Sequence, residues 1–172
     1  MLTVLGALAL LSLVSLSINT MIVGKTTTML DAEAQLNAIS IAQSMIDEIM
    51  TKSYDAATVS EKVYDDSNFT ASGSLGCSAY ESGVVPLPDS YPFKSAQGYN
   101  DVDDYHRYGR TVFTPRMGNF QVTDTVYYVA ETDPDLKSTP QTFFKKVVIT
   151  VRHPNMTSPL QMSDVAVYRR YF

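Results

Sequence analysis

Charge is the first thing missing. No Asp, Glu, Lys or Arg precedes Lys25, so MLTVLGALALLSLVSLSINTMIVG carries nothing ionisable but its α-amino group. Cysteine is nearly absent as well. The single thiol, Cys77, excludes an intramolecular disulfide, and a lone thiol reads as a small hydrophobe. One Cys with two distant histidines, His106 and His153, is a poor zinc ligand set, and no CxxCH haem motif occurs. Basic residues are outnumbered, thirteen Lys and Arg against eighteen Asp and Glu, for a formal net charge of -5 and a pI of about 4.9. That balance argues against a nucleic-acid partner, whose phosphates demand cations. A Gly-rich phosphate loop, a nucleophile elbow and a zinc helix are all missing, so no enzyme is expected. His106 does lie close in sequence to Asp103, Asp104 and Ser95, but these residue types are common in any acidic loop.

What is present begins with the apolar run from Leu2 to Gly24. A cleaved signal peptide needs a basic start and a short apolar core. Nothing basic precedes this run and it is too long, so a retained segment is expected. About 20 apolar residues cross a bilayer core of ~30 Å. Ser12, Ser15, Ser17 and Asn19 are small polar groups of the kind that bond their own helix or a neighbour. Lys25 then marks one interface. The dry core of a helical assembly is a second setting for this composition, because there too backbone groups must be satisfied internally.

Residues 26–52, TTTMLDAEAQLNAISIAQSMIDEIMTK, contain no Pro and no Gly. Leu30, Ala34, Ala38, Ile41, Met45 and Ile49 recur at spacings of three and four, which places them on one helical face. Ile39, Ala42, Ile46 and Met50 widen that face, and Glu33, Asn37, Ser40, Ser44 and Asp47 occupy the opposite one. The two segments join into one helix over about residues 1–52, ~78 Å long at ~1.5 Å per residue. A plain anchor is more often followed by a flexible linker. Gly24 and the Ser/Asn/Thr cluster at 15–20 are its weakest helical points, the ones able to allow a bend or local unwinding.

An apolar start running into AEAQLNAISIAQSMIDEIM resembles the N-terminal ~55 residues of the type IV pilin superfamily, which includes type IV pilins and the pseudopilins of type II secretion. The resemblance implies that residues 1–25 lie first in the bacterial inner membrane and then bundle in the core of an extracellular filament. Met1, Leu2, Val4, Leu5, Leu8, Leu11, Val14, Leu16, Ile18 and Ile22 would pack there against other copies or related pilins, with assembly machinery driving the transfer. It also implies that the stretch after the helix is the variable outer face. One position departs from the family. Most members carry a glutamate fifth, thought to pair with a neighbour's N-terminal amine, and this chain has Leu5. Some tip-located minor pseudopilins lack that glutamate too.

Residues 53–110 read as irregular, with SGSLGCS and SGVVPLPDSYPF rich in turn formers. NDVDDYHRYGR is the densest polar cluster. Asp101, Asp103 and Asp104 are candidate calcium ligands, although the Gly and Glu of an EF-hand loop are absent; the competing reading has them capping turns and pairing with Arg107 and Arg110. No other cofactor is expected. Asn68-Phe69-Thr70 and Asn155-Met156-Thr157 match the N-glycosylation sequon, a frequent chance match.

Residues 111–172 supply the strands. NFQVTDTVYYVAE, QTFFKKVVITVR and MSDVAVYRRYF are rich in Val, Thr, Tyr and Phe. RTVFTP at 110–115 is a fourth candidate. The short connections TDPDLKSTP and HPNMTSPLQ favour an antiparallel meander. Its apolar face needs cover, and Leu30, Ala34, Ile41, Met45 and Ile49 provide it. The expectation is an α+β fold, a long N-terminal helix packed on a C-terminal antiparallel sheet of three or four strands. The function classes that follow are a filament subunit that polymerises through its helix, or a single-pass membrane-anchored extracytoplasmic binding domain that does not.

Overall fold

The computed structural model describes residues 2–169. Helix α1 (Leu2–Met50) is a single 49-residue rod, ~74 Å long. The helix is continuous through Gly24 and residues 15–20, with no local unwinding. The hydroxyls there turn inward instead. Ser12, Ser17, Thr20, Thr26, Thr27 and Thr28 each donate to a carbonyl three or four residues back, and Gly24's carbonyl accepts from both Thr27 and Thr28. Each hydroxyl is thereby satisfied within the helix, with no need of water. The rod ends where Thr51 and Lys52 donate their amides to Glu48 and Ile49. Lys52 Nζ then donates to the Ala96 and Tyr99 carbonyls at 2.7 and 2.9 Å.

The sheet has six strands, two more than the upper expectation. β1 (Asp89–Ser90), β2 (Gly109–Thr114), β3 (Gly118–Ala130), β5 (Phe144–Arg152) and β6 (Leu160–Val167) lie side by side in that order, and β4 (Asp133–Lys137) pairs with β3. All pairings are antiparallel except β1–β2, which is parallel. The extra strands are short for physical reasons. β1 is two residues long, and β4 contains Pro134, which only an edge strand tolerates.

The helix meets the sheet on a stripe of small and flexible residues. Ala34, Ala38, Ala42, Met45 and Ile49 are fully buried in one core with Val122, Val126, Val147, Ile149 and Val151, the helix lying over β5 and β6. Alanine at three successive contact points lets the rod approach closely, and methionine fills what remains. Two loops clasp the helix where this stripe begins. Arg116, in the β2–β3 turn, pairs with Glu33 at 2.9 Å, and Thr157, between β5 and β6, donates its amide to Asp31 Oδ1 at 2.8 Å. An exposed pair of this kind adds little stability, but its position sets where the head stops.

Between α1 and β2 the chain is less irregular than its composition suggests. Short helical turns at Ala56–Thr58, Asp66–Asn68 and Asp103–Tyr105 join α2 (Ala79–Val84) and α3 (Ser95–Gly98). Tyr99, Tyr105 and Tyr108 stack edge to face with ring centroids 5.0–5.5 Å apart, a geometry favoured by their ring quadrupoles.

Candidate functional surface: a bare apolar helix on a charge-locked head

Among the described residues, nothing packs against the first half of α1. Val4, Leu5, Leu8, Leu11, Val14, Leu16, Ile18 and Ile22 are all 54–69% exposed. Leu2 opens the helix, and Met1 lies outside the described residues. This helix is long and apolar enough to cross a membrane. An apolar surface of this extent is far larger than a water-soluble monomer usually shows, and marks contact with lipid or protein.

The second half divides differently from its sequence pattern. Ala34, Met45 and Ile49 are buried and Ile41 is half-buried. Leu30, expected on the packed face, remains 38% exposed, because the head ends at the clasps to Asp31 and Glu33.

Glu48, which the sequence reading passed over, turns into the head. Its Oε2 lies 2.7 Å from Arg110 of β2, and its Oε1 accepts from the Ser95 and Tyr105 hydroxyls at 2.8 and 2.9 Å. Arg110 also lies over the Phe93 ring at 4.4 Å. Beside this pair, Asp124 of β3 is buried with both carboxylate oxygens unbonded among the described residues, as is Arg110 Nε. Burial holds Asp124 well above the usual carboxylate range. Arg110 pulls it down and Glu48 pushes it further up.

A second charge cluster surrounds Lys145 of β5, whose side chain is wholly buried. Its Nζ lies 2.8 Å from Asp55 Oδ2 and 2.7 Å from Asp103 Oδ1, donates to the Tyr54 carbonyl, and sits over the Tyr54 and Tyr128 rings. Burial raises the Asp55 carboxyl, but the Lys145 ammonium and the Thr70 and Ala57 amides outweigh it and bring the group below its ordinary value.

The three aspartates put forward as calcium ligands have other contacts. Asp101 Oδ1 accepts the amides of Asp103 and Asp104, and Asp104 Oδ2 accepts those of Asn100 and Asp101. Asp103 pairs with Lys145 rather than Arg107 or Arg110. Among the described residues, no group of three or more His, Cys, Asp and Glu is arranged to hold a metal. Burial, with the charge of Asp103, pushes Asp101 up to about 9. Burial likewise lifts Asp104 to about 6, against the two amides that bond it.

His106 accepts the Val126 amide at Nδ1, and burial lowers its pKa. Ser95, far from joining it, bonds Glu48 and Tyr108. Both sequon asparagines are exposed, and their threonines are tied to Asp55 and Asp31.

The overlooked charges were visible in strand phase. Asp124 alternates in step with Val122, Val126 and Tyr128, and Lys145 with Phe143, Val147 and Ile149. Glu48 stands three residues after Met45 and seven after Ile41, inside the packed stripe. Comparison with protein-family models, curated proteins and solved structures finds no match for this chain.

Proposed function

We propose that this chain is a structural subunit of a type IV pilus-like or pseudopilus filament, acting by polymerisation rather than catalysis. The observation that carries the reading is the division of α1. One uninterrupted helix is apolar and bare from Val4 to Val23 and clamped to a sheet from Ala34 to Met50. Rigid continuity matters, because a head joined to its helix without a linker takes its position from the helix. In the inner membrane the bare half spans the bilayer; in the filament it bundles with other copies while the heads form the shell. Apolar surface already dry in lipid gains little on transfer, so an assembly motor is part of the reading. The family resemblance of residues 1–55 supports it.

A second reading has one specific observation in its favour. Leu5 replaces the glutamate expected to receive a neighbour's amine, which suits a single-pass anchored extracytoplasmic binding domain that never polymerises. Electron microscopy of sheared surface material separates the two. The filament reading expects thin fibres that contain this chain. Surface material without fibres at native expression, with the chain monomeric in detergent, overturns it.

A further inference from the structure

We propose that the Lys145 side chain condenses with Asp103 to form an intramolecular amide, a covalent staple between β5 and the turn preceding β2. Lys145 Nζ and Asp103 Oδ1 are 2.7 Å apart, with the lysine fully buried. The carboxyl carbon therefore stands one bond beyond an atom already in contact with the nitrogen. Holding nucleophile and electrophile together in this way replaces a bimolecular encounter with a local step. Lysine amines act as nucleophiles where they are desolvated, and the Tyr54 and Tyr128 rings, at 4.5 and 5.2 Å, wall this one off. Exclusion of water also favours condensation over hydrolysis by mass action.

Two neighbouring carboxyls complete the chemistry. One proton passes along the 2.7 Å contact from Nζ to Asp103 Oδ1, which frees the nitrogen lone pair and neutralises the carboxyl it attacks; Asp55, 2.8 Å from Nζ on its other side, takes the second as the new bond forms. That pair forms the C–N bond as one C–O bond of Asp103 breaks and its electrons leave with oxygen. Asp101 Oδ1 accepts the Asp103 amide at 2.9 Å, which sets its carboxyl beside the reacting group; burial there raises it to about 9, and it is the acid that protonates the departing oxygen. The balance is one ammonium plus one carboxylate giving one amide plus one water. The water carries off two protons, one that came directly from nitrogen and one from Asp101, which the released water recharges from Asp55; nothing is oxidised or reduced, and both helpers end as they began. The bond ties residues 42 apart in sequence, in a chain whose single cysteine rules out an internal disulfide. The inference rests on this pocket and not on polymerisation.

The test is intact mass spectrometry of the denatured full chain after purification in detergent, followed by trypsin digestion. The expected result is a mass lower than the sequence by one water, and a branched peptide joining residues 138–146 to residues 95–107. A full sequence mass overturns the proposal and leaves an ordinary buried ion pair. A branch at Asp55 overturns the assignment of electrophile. Asp101→Asn keeps the oxygen that caps Asp103 and Asp104 but cannot donate as an acid; it is expected to fold and to show the full mass of an unlinked chain. A water deficit in that variant equal to the wild type's overturns the role of Asp101.

Discussion

Replacing Glu48 with Gln tests whether the buried charges hold the helix to the head. Gln keeps one oxygen for the Ser95 and Tyr105 hydroxyls, which donate to Oε1, and removes only the charge facing Arg110. The Arg110 side chain is 4% exposed and that of Glu48 is 19%. Stripping one partner from a buried pair costs about 3–5 kcal/mol. Two effects reduce that here. Water at the partly exposed Glu48 screens the pair, and Asp124, relieved of Glu48's repulsion, ionises toward Arg110. The expected loss is therefore about 2–3 kcal/mol at neutral pH. Adding Asp124→Asn removes the substitute anion, so the double variant should lose at least ~1 kcal/mol more than the two singles added together. Urea unfolding of the full chain in detergent supplies the free energies. Near-UV circular dichroism is a clean probe of it, since eleven tyrosines and no tryptophan carry the signal. A neutral Glu48→Gln, or strict additivity with Asp124→Asn, would refute the coupling.

Three further outcomes are expected. Met45→Ala opens a void in the fully buried stripe and should cost about 2–5 kcal/mol in the same assay; Met29→Ala, at a site 73% exposed, should leave head stability unchanged, and equal effects at the two sites would contradict the packing described. The folded state keeps a proton on Asp124 that the unfolded chain gives up. The stability this contributes is complete below the usual carboxylate pKa of about 4 and is lost as pH rises toward the folded value. Asp124→Asn should accordingly stabilise the protein at neutral and higher pH, with no gain below pH ~4; a gain only in acid would reverse the assigned sign. Leu11→Asp places a charge in the middle of the bare segment at about 2.5–3.5 kcal/mol against insertion, so a sizeable fraction should become extractable from membranes by alkaline carbonate, whereas full retention would contradict a spanning role for this segment.

Much of this architecture is legible from local pattern, and the exceptions have physical causes. Four strand runs announced themselves through Val, Tyr and Phe, and the helix through an apolar run feeding a 3–4 spacing. β1 escaped because two residues carry no periodicity, and β4 because Pro134 and three charges read as a turn. The Gly24 and 15–20 positions do not unwind, and several hydroxyls in and just beyond them bond carbonyls of their own helix. Leu30 failed because amphipathic spacing says which face is apolar, not where the opposing sheet ends. Asp101, Asp103 and Asp104 showed as an acidic cluster, but Lys145 stands 42 residues beyond Asp103, and only folding brings them together. Even so, the phase of Lys145 and Asp124 with their apolar neighbours was on the page as a warning that the sheet's inner face is charged.

The most direct test of the central claim asks whether the bare halves of α1 meet each other outside the membrane. A cysteine placed at Val14 in a Cys77→Ser background reports this through oxidative cross-linking of sheared surface material. The filament account expects cross-linked products containing more than one copy of the chain, joined through residue 14. Abundant chain that stays wholly monomeric in that fraction, or that never leaves the membrane, would contradict it.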